Sequence, residues 1–301
     1  MRRQRSAPKR TATSKHITWQ VRRETESWPR EVCRSAATLL SGRTEIELLF
    51  LLVVNCGVWQ PWWLDLDRPS RLFSPLRMRI ALLGNVVLCL AAILFVLVTA
   101  AAPEVRGSAY DICAYELMSA LWLAVALRLF PLFGVSLRED VVERRNRGAL
   151  HAVNGALAGI ALCFAASNMG EGPGPGAVLF CAALTSAAFF LLWFAADLAG
   201  SHWADAITID RDRGAGLRLG CLLLSIGAAL GSAVTGDWVS EEDTLRDFVL
   251  RSWPALPVLA VALLAERRMR RASRSGWQSW LAPAAYAGIA LVSIAAERHM
   301  R

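Results

Sequence analysis

Eight side chains in this sequence sit inside or at the ends of long apolar runs, where ionisable and amide groups cost free energy. They are Asn85, Glu116, Arg128, His151, Asn154, Asn168, Asp197 and Glu266. In hydrocarbon such groups pair with one another, bond to neighbouring helices, or mark a path for protons or ions. Glu116 stands about one turn into its run, and Arg128 lies towards the far end of the same run. Asp197 and Glu266 close the equivalent runs of two later segments. The placement predicts an intramembrane polar cluster of Glu116, Arg128, Asp197, Glu266 and Asn154, serving a proton or ion path. A purely structural arrangement accounts for the same residues. In it, Arg128 pairs with Asp197 or snorkels to the interface, and the asparagines bond between helices.

Other chemistry has little to stand on. His16, His151, His202 and His299 are scattered without metal-ligand spacing. Cys56, Cys89, Cys113, Cys163, Cys181 and Cys221 lie in apolar runs and Cys33 in a basic stretch, with no paired framework; small buried thiols are their ordinary reading. The loop Gly172–Gly176 alternates glycine with proline but lacks the Gly-Lys-Ser/Thr ending of a phosphate loop. No catalytic residue, metal site or cofactor is expected, and the chain is not expected to be an enzyme.

The elements that would position these groups are membrane helices. The chain is 55% hydrophobic with a mean hydropathy of +0.38, well above a soluble domain. Runs of roughly 20 apolar residues suffice to cross a bilayer core. Such runs occupy Ile80–Ala102, Ile112–Val135, Leu150–Met169, Ala177–Ala199 and Leu217–Val234. Phe248–Ala265 and Trp280–Ala296 are shorter, and Ile46–Trp63 is interrupted by Asn55, Gln60 and Pro61. The expected fold is all-α, a polytopic bundle of about seven to eight spans.

Two of these runs open on matching words. Arg145–Ala149 reads Arg-Asn-Arg-Gly-Ala and Arg211–Ala215 reads Arg-Asp-Arg-Gly-Ala; at the far ends Gly170 and Glu171 match Gly236 and Asp237. Arg77–Ala81 is a weaker echo. Repetition of two apolar segments predicts tandem two-helix hairpins over residues 77–135, 136–200 and 201–267. Residues 268–301 then supply a basic loop and a last span, and 45–76 a first membrane segment and linker.

Arginines sort the loops. Residues 136–147, 200–213 and 267–279 are arginine-rich, whereas 103–111, 170–176 and 235–247 hold almost none. Short basic loops stay cytoplasmic, so the hairpin ends are expected inside and the tips outside. Arg145, Arg147, Arg211 and Arg213 at the helix starts could meet lipid phosphates, or act only as orientation signals. The arm 1–44 carries eleven basic residues against Glu24, Glu26 and Glu31, which alone equals the whole chain's +8. Its composition suits a disordered arm against anionic lipid, with no specific nucleic-acid partner. A cytoplasmic arm conflicts with Ile46–Trp63 spanning, so a re-entrant or interfacial segment is preferred there, with Trp59, Trp62 and Trp63 at headgroup depth. No apolar stretch follows the first basic residues closely enough to suggest a cleaved signal peptide.

Small residues mark the packing. Gly155 and Gly159, Gly216 and Gly220, and Gly227 and Gly231 each lie one turn apart on a helix face. That spacing lets helix backbones approach closely in lipid. Since the pairs recur at repeat positions, contact between equivalent helices is expected, within one chain or in a homo-oligomer.

The stretch from Arg138 to about Arg267 resembles the bacterial membrane family catalogued as domain of unknown function 350. The resemblance rests on the opening at 145–150, on Ala161–Gly170 leading into Glu171, on Thr208–Gly220, Leu230–Trp238 and Leu245–Leu250 before Trp253 and Pro254. It implies an integral inner-membrane protein of paired helices in tandem copies. Its activity would be that of a channel-like or transport component, the alternative being a non-catalytic scaffold or partner subunit.

Overall fold

The computed structural model describes residues 45–60, 76–271 and 278–299. The chain divides into two compact units, Met1–Phe50 and Leu51–Arg301. Of the first, residues 45–50 are described and are helical; the basic arm lies outside the described residues. Among the described residues of the second unit, all regular structure is helical apart from one isolated bridge between Ala101 and Gly170. Its long elements are α1 (residues 51–60), α2 (Leu76–Thr99), α3 (Ala109–Leu129), α4 (Arg147–Ser167), α5 (Pro175–Ala196), α6 (Arg213–Val234), α7 (Glu241–Arg251), α8 (Ala255–Arg271) and α9 (Gln278–His299).

Among the described residues, five helices are long and apolar enough to cross a membrane: α2, α3 with its following turn to Phe133, α4, α5 extended to Ala199, and α6. The expected single span Phe248–Ala265 is replaced by two helices, α7 and α8, bent by 40° across the break. The cause is local. Pro254 has no N–H to donate and disfavours helical backbone at Trp253, so α7 ends at Arg251 and the ladder restarts at Ala255. Together the two pieces meet the length and hydropathy of a sixth span. α7 is polar at its start, where the Ser240 hydroxyl caps Asp243 N–H and three acids follow.

Burial separates the helices into an inside and an outside. In the most apolar stretches of α4 and α6, 72% of residues are buried, against 22% in α2. α4 and α6 form the centre, and α2 turns Val87, Leu88 and Phe95 outward. α2 packs on α4, α4 on α6, and α6 on α9, so the first helices of successive segments touch in order. Behind them, α3 and α5 meet through the Trp122 indole N–H donating to Ser186 Oγ at 3.1 Å. Near their last turns, Phe130 stands edge-on to Trp193, with ring centres 5.5 Å apart.

Of the segment Ile46–Trp63, residues 46–60 are helical and Trp62 and Trp63 lie outside the described residues. Trp59 is not at an open headgroup position. It is buried, and its indole donates to the Ala120 carbonyl of α3 at 3.1 Å. Asn55 Nδ2 donates to Leu117 O at 2.9 Å on the same helix. Asn55, which interrupts this apolar run, and the Trp59 indole therefore fasten α1 to α3.

Candidate functional site

The loops that launch α4 and α6 are built alike. Arg145 and Arg211 both take left-handed backbone, φ 54° and 53°, which is uncommon for a residue with a Cβ. In each loop the next residue's N–H reaches back to a carbonyl: Asn146 to Asp140 at 3.0 Å, Asp212 to Ala206 at 2.9 Å. Each then caps its helix, Asn146 Oδ1 accepting from Gly148 N and Ala149 N, and Asp212 Oδ1 from Gly214 N. Such caps satisfy donors that would otherwise be orphaned at the helix start. Asn146, buried, also donates to Ile207 O and so ties the first loop to the second.

From these matched starts α4 and α6 run parallel, backbone against backbone. A Cβ added at Gly155 would fall on the backbone of Gly220, one at Gly216 on Gly148, one at Gly220 on His151, and one at Gly227 on Gly159. At Gly159 it would meet Leu223 O and the Phe189 ring at 2.7 Å, and at Gly231 the Leu162 carbonyl and Ala166 Cβ at 3.1 Å. All six predicted packing glycines thus lie on one seam. The seam extends to the helix tips, where Gly236 N donates to Met169 O and Trp238 N to Glu171 O. The Asp237 carboxylate accepts from Glu171 N at 2.9 Å.

The charges do not gather as expected. Arg128 Nη2 donates to the Val58 carbonyl of α1 at 2.6 Å, and makes no ion pair with Asp197 among the described residues. Glu266 pairs with Arg218: Nε to Oε2 is 2.9 Å and Nη2 to Oε1 is 3.1 Å, a two-pronged contact with both side chains buried. The predicted cluster of Arg128, Asp197 and Glu266 is therefore corrected. Glu266 near the end of α8 meets Arg218 in the second turn of α6, and Asp197 begins a wide helical turn at the end of α5. Tyr286 of α9 is fully buried close to this pair, its hydroxyl without a hydrogen-bond partner. Arg218 stands within an apolar run and was not among the expected site residues, because the repeat pattern marks charges at matching ends of the second helices and not one near the start of a first helix.

The remaining predicted groups are separate. Glu116 Oε2 is buried without a partner on α3, and its backbone carbonyl accepts from Ser119 Oγ at 2.7 Å. Asn85 of α2 donates to Asn154 O at 3.1 Å, while Asn154 Oδ1 is buried and unpartnered. Asn168 bonds back to Phe164 O in its own helix.

Two hollows flank α4. At the loop tips a cleft of about 80 Å³ is bordered by Tyr115, Asn168, Glu171, Asp237, Trp238 and Arg251. At the arginine-rich end a groove of about 410 Å³ lies between α2, α4 and α6. His151 lines it and accepts from Arg213 Nε at 3.3 Å. Among the described residues no group of three or more His, Cys, Asp or Glu is placed to hold a metal ion. Comparison with known protein families, curated proteins and solved structures returns no match.

Proposed function

We propose that the chain is a multi-pass protein of a bacterial inner membrane, built from three two-helix repeats of the kind found in the domain of unknown function 350 family, and that it acts as a non-conducting, non-catalytic scaffold or partner subunit. The observation that carries this reading is the glycine seam. A conduction path between repeat-related helices needs space on their shared axis, and here backbone atoms of α4 and α6 occupy it. The charge distribution supports the same reading, since the buried Arg218 and Glu266 neutralise each other locally. A buried pair of this kind holds one arrangement of helices in register but adds little net stability.

A second reading, a transport component, draws on the two hollows at opposite ends of α4, the outer one edged by Glu171 and Asp237. Purified protein in liposomes decides between them. The scaffold reading predicts that K⁺, Na⁺, proton and polyamine fluxes equal those of empty vesicles. A saturable flux above that background overturns it in favour of transport.

A further inference from the structure

The groove between α2, α4 and α6 has a polar end and an apolar length. His151 stands at the polar end, and the guanidinium groups of Arg147 and Arg213 lie near it. Both arginines are exposed, one at the start of each central helix. Beyond them the walls are Leu88, Ala92, Ala158, Leu162, Leu217 and Leu224. From His151 to Leu162 the floor runs about 16 Å at the α-helical rise. That is about half of a 30 Å hydrocarbon core, the depth of one leaflet.

We propose that this groove binds one anionic phospholipid, its phosphate between Arg147 and Arg213 and one acyl chain along α4. Charge complementarity selects the occupant. Two guanidinium groups at headgroup depth attract a phosphate, whereas a second copy of this chain would bring its own arginines to the same level. The hollow's volume lies within the range of small-ligand sites, roughly 300–1,000 Å³. Ala158, whose side chain is a single methyl group, lines the floor and leaves room for a narrow chain. Asn154 adds an independent sign. It lines the groove about one turn below His151, and its buried Oδ1 has no partner in the protein. The amide therefore sits near the depth of the glycerol esters.

The test uses the purified full chain in detergent. Added phosphatidylglycerol should raise the unfolding temperature at least twice as far as phosphatidylcholine at equal mole fraction, and inorganic phosphate should not raise it. Arg147→Gln with Arg213→Gln should remove the difference between the two lipids. Ala158→Phe, which fills the floor, should remove most of the shift from either. A second measurement does not depend on those variants folding. A chain keeping Cys221 as its one cysteine, a residue that lines the groove, is labelled with a bimane. Phosphatidylglycerol brominated in mid-chain should quench it at least twofold more than brominated phosphatidylcholine. Equal shifts and equal quenching by the two lipids overturn the proposal. So does a rise with phosphate alone, which assigns the arginines to a free anion. Absent quenching accompanied by a dimer gives the groove to a second copy and overturns it as well.

Discussion

Adding one methyl group to the seam, as in Gly155→Ala, should destabilise the protein although alanine is the better helix former. The new carbon would lie well inside 3.0 Å of the Gly220 carbonyl oxygen, Cα and carbonyl carbon, against an ordinary contact of 3.4–4 Å. Backbone atoms cannot rotate aside as a side chain can, so α4 and α6 must part by roughly 1 Å. A gap of that size forfeits a quarter to a half of each dispersion contact along the seam. Overpacking of this kind costs about 1–3 kcal/mol, and a contact between backbones belongs at the upper end. Replacing a helical glycine returns up to about 1 kcal/mol, leaving a net loss of about 2 kcal/mol. Gly84→Ala in α2 and Gly288→Ala in α9 are the controls, since a Cβ at either meets nothing within 4 Å. Thermal unfolding in detergent, followed by tryptophan fluorescence, reads the difference. At about 2–4 °C per kcal/mol, Gly155→Ala should melt roughly 5 °C lower, and the controls at or slightly above the parent. Equal melting of all three variants would refute close backbone contact at Gly155.

The buried pair gives the next expectation. Arg218→Met or Glu266→Gln alone should cost about 3–5 kcal/mol by stranding a charge, and the double variant should cost less than the two losses added; Arg128→Ala with Asp197→Ala should be additive in the same melting assay. Asn146→Ala should cost about 1–3 kcal/mol, because it removes a cap and frees the buried Ile207 carbonyl. Asn146→Asp should fail to restore that stability, since a carboxylate oxygen would face that carbonyl. For topology, Pro173→Cys in a cysteine-free chain should be labelled by a membrane-impermeant maleimide in intact cells, and Arg144→Cys only after permeabilisation. The reverse pattern would invert the membrane orientation.

What was legible in the sequence was whatever depends on one dimension. Apolar length marked the helices, because bilayer thickness sets it directly, and α2 to α6 lie within a few residues of the expected runs. The repeated words at 145–149 and 211–215 pointed to alike loops, and their backbones take the same unusual conformation. The break at Pro254 was equally open to a reader, since proline's lost donor is a property of its type; the apolar content around it masked the signal. Charge partners were not legible. Whether Glu266 meets Arg218 or Arg128 depends on which helix packs against α8, and nothing in the spacing of 128, 197 and 266 encodes that. The partner of Trp59 was hidden for a related reason: an indole in an apolar run does not show that α3 supplies a carbonyl for it.

The parallel seam itself is open to one direct measurement. Ala166 Cβ and the position a Cβ would take at Gly231 lie 3.1 Å apart, a few tenths of an ångström short of the usual disulfide range of about 3.5–4.5 Å, so a small outward shift brings a bond within reach. In a cysteine-free background, Ala166→Cys with Gly231→Cys is oxidised in native membranes, and the linked peptides are identified by mass spectrometry. The account predicts a bond within one chain in high yield, and none for Ala166→Cys with Leu219→Cys, which lies several turns away on α6. A link forming only between chains, or forming as well with Leu219→Cys, would contradict the parallel, backbone-to-backbone packing of α4 on α6.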